Sequence, residues 1–271
     1  MSALKSIIYF WPDKFLFIAA EANRGMRYHD NMPNRILSFG LNGPIKIDTG
    51  EQLLEARIVL HEVNASWGES FTDDVVCNLL IDPASELNQI LLSQMTRVNN
   101  HLLVNLPNEN ILIEHFRRIY HQSLSIQDVS EIFQASFGYR CLCTPDQPDR
   151  WQSSHIDKRI KHAVIILQGD LSRRLSTKTI AKRVGLSESR LFYLFKRDLG
   201  LSIRRYILWR RFFLMSKYGL QEKNLLRAAL MVGFWDAAHM SNTFKSIIGA
   251  PPSKLLRAVL TSKFLTMVKR D

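Results

Sequence analysis

GFWDAAHMSNTFKSIIGAPPSKLL, residues 233–256, opens on a glycine and an aromatic residue, runs on with helical spacing, and closes on Gly249 and two prolines. IAKRVGLSESRLFYLFKRDLG, residues 180–200, carries the same punctuation. Ala181, Val184, Gly185 and Leu186 recur 48 positions later as Ala229, Val232, Gly233 and Phe234. Leu191, Phe195, Lys196 and Gly200 recur 49 positions later as Met240, Phe244, Lys245 and Gly249. A duplicated unit with one extra residue in the second turn accounts for both shifts.

Each copy reads as two helices around a glycine turn. In the first, KTIAKRV stops at Gly185, a residue suited to the left-handed conformation that ends helices. Ser187 then caps ESRLFYLFKRDLG, whose Leu191, Leu194 and Phe195 share one face. In the second, LLRAALMV stops at Gly233, Asp236 is the cap, and Met240, Phe244 and Ile247 face inward. The small Ala181 and Ala229 let paired helices approach closely, which is the helix-turn-helix arrangement whose second helix enters a major groove. Between the copies, SIRRYILWRRFFLMSKY, residues 202–218, predicts one helix spanning roughly 26 Å. Such a spacer suits two recognition helices in successive groove segments about 34 Å apart.

Charge divides the 271-residue chain at the same level. Residues 154–271 hold 24 Lys or Arg against 7 Asp or Glu, a net +17, whereas residues 1–153 hold 12 against 18, a net −6. A basic half joined to an acidic one points to a polyanion-binding domain attached to a domain with another task, with double-stranded DNA ahead of an anionic membrane surface. CLCTPDQPDRWQSS, residues 141–154, has two prolines and no periodicity, and it falls at the charge switch. It is the expected linker between a domain at 1–140 and a DNA-binding domain at 155–271.

The first domain reads as α+β. KSIIYF, KFLFIAA, RILSFGL, PIKID, ARIVLHEV and VVCNLLI are strand-like, with turns at Asn42-Gly43 and Thr49-Gly50. Their spacing predicts a small antiparallel barrel or sandwich. Helices follow at PASELNQILLSQM, at a segment striped by Ile111, Leu112, His115, Phe116 and Ile119, and at IQDVSEIFQASF, residues 126–137. The stripe suits packing on the barrel and a dimer interface equally.

Three cysteines without framework spacing and a start lacking a long apolar core suggest neither a secreted disulfide scaffold nor a signal peptide, so a cytoplasmic location without membrane attachment is expected. Cys141 and Cys143 form a lone C-x-C, a poor metal site without further ligands. No nucleotide loop, zinc-protease motif, nucleophile elbow or dinucleotide fingerprint is present, and His29 and His61 have no histidine near them in sequence. Neither an enzyme nor a bound cofactor or metal is expected.

IAKRVGLSESRLFYLFKRDLGLSIRRYI and VGFWDAAHMSNTFKSIIGAPPSKLL, with G-F at Gly233–Phe234, F-K at Phe244–Lys245 and G-x-x-P at Gly249–Pro252, resemble the DNA-binding domain of the AraC/XylS family of bacterial transcription regulators. The resemblance covers roughly residues 155–260. It implies base-reading positions at Glu188, Ser189, Phe192 and Tyr193 on the first recognition helix, and at Ala237, Ala238, Ser241 and Asn242 on the second. Phe192 suits a thymine methyl and Asn242 a bidentate adenine contact. Phosphate contacts are expected among Lys178, Lys182, Arg183, Arg190, Lys196, Arg204, Arg205, Lys245 and Lys254, and His239 is expected to pack between helices. Ala228, Met231 and Asn242 stand where the family has a larger aliphatic, a polar residue and an arginine.

ILSFGLNGPIKIDTGEQLLEARIVLHEVNASW resembles the cupin-type barrel that precedes this domain in many members, where it senses an effector or dimerises. Tyr28, His29, Arg35 and Trp67 are the candidate pocket residues, and a plain core is the other reading of the same set. The family's commoner mode implies an activator in contact with RNA polymerase, with a small-molecule effector and a homodimer through the N-terminal half. The alternatives are an effector-independent architectural DNA-binding protein and, more remotely, a metal-dependent cupin enzyme.

Overall fold

Apolar runs that alternate with turns in the first half become strands β1 (Ser6–Phe10), β2 (Lys14–Ala20), β3 (Arg27–His29), β4 (Arg35–Phe39), β5 (Ile45–Asp48), β6 (Leu53–Ala56), β7 (Ile58–His61), β8 (Trp67–Phe71) and β9 (Val75–Ile81). β10 (Thr96–Arg97), β11 (Leu102–Val104) and β12 (Lys263–Thr266) complete the set. The computed structural model describes residues 6–20, 26–30, 32–71, 75–122, 124–138, 156–169, 176–222, 224–248 and 263–266. The linker at 141–154, with Cys141 and Cys143, lies outside them, as do Lys254 and the Gly249–Pro252 element.

The described strands form two sheets and do not close into one barrel. One has eight strands in the order β10-β11-β7-β4-β9-β2-β1-β12, and the other four in the order β3-β8-β5-β6. Of the expected barrel or sandwich, the described strands form the sandwich, with the larger sheet covered on both faces. Its central strand β9 is buried at every position. Cys77, Leu79 and Ile81 join Leu112, Phe116, Ile119, Val129 and Phe133 on one side. Val76 joins Ile45, Ile47 and Phe71 of the smaller sheet on the other. A strand buried on both faces reads as a continuous apolar run, which is the pattern of VVCNLLI.

The helices over the outer face are α1 (Glu86–Gln94), α2 (Glu109–Gln122) and α3 (Ile126–Phe137). On α2, Leu112, Ile113, Phe116 and Ile119 are buried while Ile111 is exposed, so Ile111 leaves the expected stripe and Ile113 enters it. Phe116 stacks on Phe39 at 4.0 Å between centroids, which assigns this stripe to packing on the sheet. α3 starts at a capping box between Ser125 and Asp128 and ends at Gly138 with φ 63°. Trp11 Nε1 donates to Ser130 Oγ (2.9 Å) and Tyr9 Oη to the Leu124 carbonyl (2.8 Å). Burial, then the Asp128 charge, push the Tyr9 phenol up to about 12.

A buried ion network ties β4 to α1. Arg35 donates to Glu62 Oε2 through Nη2 (2.7 Å) and Nε (3.0 Å), and its Nη1 reaches Asn88 Oδ1 at 3.0 Å. Glu62 also accepts from Arg97. Burial lowers the Arg35 pKa, and the Glu62 carboxylate opposes that shift.

The chain divides into one compact unit of residues 1–145 with 257–271 and another of 146–256. The expected C-terminal domain of 155–271 therefore ends earlier: β12 pairs with β1 and belongs to the first unit. The second unit is helical, with α4 (Lys158–Gly169), α5 (Thr177–Arg183), α6 (Glu188–Leu199), α7 (Ile203–Glu222), α8 (Leu225–Met231) and α9 (Ala237–Ile248). α7 has 20 residues, about 30 Å at 1.5 Å each, and outruns the 202–218 expectation through Gly219. Gly219 is a packing requirement, since a Cβ there would collide with the Leu225 side chain of α8.

Glu62→Gln leaves the buried Arg35 guanidinium without its counter-charge and is expected to cost roughly 3–5 kcal/mol in urea unfolding. A loss below about 1 kcal/mol would show the network to be dispensable, as surface pairs are.

Candidate functional site

The two sequence copies fold into the same motif, hydrogen bond for hydrogen bond. Ser176 caps α5 by accepting from the Thr179 amide at 3.1 Å, and Asn224, 48 positions on, caps α8 by accepting from Arg227 at 3.0 Å. The turns hold Gly185 at φ 68° and Gly233 at φ 91°. Each is closed by a bond back across it, Leu186 N to Ala181 O (2.9 Å) and Phe234 N to Ala229 O (3.0 Å). Ser187 then caps α6 through the Arg190 amide (3.2 Å), and Asp236, 49 positions on, caps α9 through His239 (2.7 Å). The caps at Ser176 and Asn224 extend the repeat beyond the positions visible as identities.

On α6, Leu191, Leu194, Phe195 and Leu199 are buried. Ser189, Arg190, Tyr193 and Lys196 are exposed, and Phe192 is 36% exposed, so the expected outward face is presented to solvent. Glu188 is half-buried and accepts from Thr177 Oγ1 at 2.8 Å, which engages it in joining the two helices of the motif. The Arg190 guanidinium lies 5.2 Å from the Tyr193 ring centroid. A planar cation over an aromatic face is a favourable contact worth about 0.5–1 kcal/mol at an exposed site.

On α9, Ala237, Ala238 and Asn242 are exposed and Ser241 is half-buried. His239 is half-buried, takes the Trp235 amide at 3.4 Å on Nδ1, and sits 5.5 Å from the Phe234 ring, which places it between turn and helix. Lys178, Lys182, Arg183 and Arg204 are exposed and Arg205 is half-buried, while Lys245 lies on α9. Ala228 is fully buried, and Met231 is 60% exposed. Sequence reasoning passed over Trp235, 67% exposed on the turn before α9; with Leu186 matched by Phe234 and Ser187 by Asp236 it is the extra residue of the second turn, and an aromatic residue at that insertion was the available signal.

The candidate pocket residues separate. His29 and Trp67 are register partners on β3 and β8 and stack at 4.9 Å. Tyr28 is 68% exposed, with its hydroxyl 3.4 Å from Asp48. Arg35 is engaged by Glu62 and Asn88 against α1 and is not part of the His29–Trp67 group. Successive residues of a strand point to opposite faces, which parts Tyr28 from His29 and Arg35 from Ile36.

The group that does form is centred on Glu69, a residue the sequence reading did not select. Its carboxylate is 1% exposed and accepts from Ser38 Oγ (3.0 Å), Asn78 Nδ2 (3.2 Å) and His29 Nε2 (3.2 Å), with His61 Nε2 at 3.4 Å. His61, distant in sequence from His29, also stacks on Trp67 at 4.2 Å. Burial alone raises the Glu69 pKa, but the His29 and His61 rings beside it outweigh that and hold the carboxyl well below its usual range. Burial lowers the His61 pKa, partly offset by the Glu69 carboxylate beside it. Trp67 Nε1, Asn78 Oδ1, His29 Nδ1 and both ring nitrogens of His61 are buried without hydrogen-bond partners, His61 Nε2 lying only at ion-pair distance from Glu69. Among the described residues no group of three or more His, Cys, Asp or Glu is placed to hold a metal ion. Nor is any described helix long and apolar enough to cross a membrane.

Residues 180–258 match the family model described as a helix-turn-helix domain. The chain is 34% identical over 96 residues to the Msm operon regulatory protein of Streptococcus mutans serotype c, covering 35% of this chain and 34% of that protein. It is 23% identical over 160 residues to the Lactose operon transcription activator of Staphylococcus xylosus, covering 56% and 57%. The chain thus spans no more than 57% of the length of either curated relative. ToxT from Vibrio cholerae is similar in fold, with a TM-score of 0.60 at 14% identity over 91% of this chain and 98% of that one. A structure of ToxT with an unsaturated fatty acid bound gives 0.55 at 17% identity over 96% and 98%. The turns at Gly185 and Gly233 and the helices α6 and α9 all fall within the matched helix-turn-helix region.

His61 is neutral when folded, so its contribution to stability is full above the ordinary imidazole value of 6.5 and is lost as pH falls below it toward the lowered folded value. Glu69 contributes fully above the ordinary value of 4.5 and loses that contribution as pH falls through its depressed folded value. Urea midpoints against pH are expected to decline in two steps, the first removed by His61→Gln and the second retained. A single step below 4.5 in the unmodified protein would refute the His61 assignment.

Proposed function

We propose that this chain is a sequence-specific DNA-binding regulator of transcription, an activator, that reads two successive major-groove segments with α6 and α9. The observation that carries it is the pair of hydrogen-bond-matched motifs with solvent-facing second helices, set in a half with net charge +17. Ser189, Phe192 and Tyr193 read the first segment, with Glu188 bracing the helix start. Asn242 and Ser241 read the second, where Ala237 and Ala238 give close apposition and little base discrimination. Arg190, Lys196, Lys178, Lys182, Arg183, Arg204, Arg205, Lys245 and Lys254 supply the phosphate contacts.

The N-terminal sandwich is the sensing or dimerising part, related to cupin-type barrels, and His29 and Trp67 with His61 and Glu69 are its effector-facing residues. Five buried polar atoms without hydrogen-bond partners support this, since such atoms in a folded protein are normally met by water or a ligand. ToxT with a bound fatty acid supports a small-molecule effector for this fold. RNA polymerase is the proposed protein contact, and the cytoplasm the proposed location.

Selection of bound sequences from a random duplex library tests the reading. The full-length protein is expected to enrich a two-element site about one helical turn apart; Phe192→Ala blurs one element and Asn242→Ala the other, each costing roughly 1–3 kcal/mol of discrimination. With about half of the nine proposed phosphate-contacting residues engaged at once, roughly four phosphate contacts, affinity falls roughly 100-fold between 50 and 200 mM salt. Salt-sensitive binding with no enriched sequence would instead identify an architectural protein.

A further inference from the structure

β1, SIIYF, carries no charge and no proline, and Ile7, Ile8, Tyr9 and Phe10 are all buried. One side of it pairs antiparallel with β2. The other is met by β12 in a parallel register, Ile7 with Lys263, Ile8 with Phe264, Tyr9 with Leu265 and Phe10 with Thr266. Among the described strands this is the only parallel pair. β12 is not the continuation of a hairpin: it follows the whole helix-turn-helix unit in sequence and returns to the first unit. A four-residue strand gains ladder hydrogen bonds whose net worth is about the size of the backbone entropy each ordered residue loses. It is therefore held near balance.

The other sheet ends are short or charged. β10 has two exposed residues including Arg97, β3 is three residues, and β6 is a half-exposed strand containing Glu55. Without β12, β1 would be a five-residue, uncharged, apolar edge, the kind that pairs with another chain. Lys263 places a charge in the strand that covers it. The partner such an edge fits best is itself: two identical strands related by a two-fold axis pair antiparallel and satisfy each other's backbone groups, an isologous closed contact.

We propose that β12 is an exchangeable guard on β1, and that its displacement opens a surface through which two copies of this chain join, β1 against β1. The inference rests on the dimerisation reading of the N-terminal unit and names its surface. Its test uses self-association without DNA, so its failure leaves the DNA reading standing and a failure of DNA reading leaves it untouched.

Sedimentation of the full chain carrying Phe264→Pro with Leu265→Pro, which removes two successive backbone donors from β12, is the decisive experiment. Self-association is expected to strengthen at least ~10-fold over the unmodified chain with far-ultraviolet dichroism retained, since loss of a guard frees the edge without unfolding the sheet. A peptide of residues 260–268, LTSKFLTMV, is expected to reverse it where a scrambled peptide does not. A folded proline variant that sediments like the unmodified chain, or association that the peptide leaves untouched, would overturn the proposal. Should the prolines unfold the sheet, hydrogen exchange on the unmodified chain decides. Amides of 263–266 must exchange faster than those of 7–10, by a margin that widens with protein concentration, and equal protection at all concentrations overturns the guard.

Discussion

The main-chain bond that closes each helix-turn-helix, Leu186 to Ala181 and Phe234 to Ala229, sets how α6 leans on α5 and α9 on α8. It forms only because Gly185 and Gly233 take positive φ, where a side chain is strained, and because Ala181 and Ala229 leave room beneath. The faces that α6 and α9 present to solvent follow from that packing. With Leu191, Leu194 and Phe195 buried against the unit, Ser189, Phe192 and Tyr193 have no direction left but outward. The caps at Ser187 and Asp236 then fix where each recognition helix begins.

The N-terminal unit is organised by a different constraint, the covering of both faces of one large sheet. Helices take the face bearing Leu37, Phe39, Cys77 and Leu79, and the smaller sheet takes the face bearing Val59 and Val76. The layer between the sheets is where a charge was admitted. Glu69 is tolerated there because its carboxylate collects donors from β3, β4 and β9 with His61 of β7 close beside it, and a buried charge so satisfied costs far less than a bare one. The same donors cross from one sheet to the other, so the group registers the two sheets against each other as well as filling the space between them.

Much of the second unit was legible because its determinants are local. Glycine turns, cap residues and helical stripes act within a few positions of themselves, and the 48- and 49-residue repeat showed them twice. Helix α4 was not singled out, although Ile160, Val164 and Leu167 carry its spacing. In the first unit six apolar strand-like runs were legible, but β3, β6, β8, β10 and β11 are short or polar and owe their form to their neighbours. WGESF does not announce a strand, since its buried glutamate makes sense only beside His29, His61 and Asn78.

By itself, then, the sequence determined the doubled motif, its two outward faces and the division of charge between the halves, because propensity, capping and periodicity are properties of short segments. Tertiary structure alone decided that Tyr28 and Arg35 leave the candidate pocket, that His61 and Glu69 enter it, and that Lys263–Thr266 returns to pair with β1. The physical reason is that strand pairing joins residues far apart in the chain and sends alternate side chains to opposite faces. Which residues meet depends on register and partner, and neither is written in any local stretch.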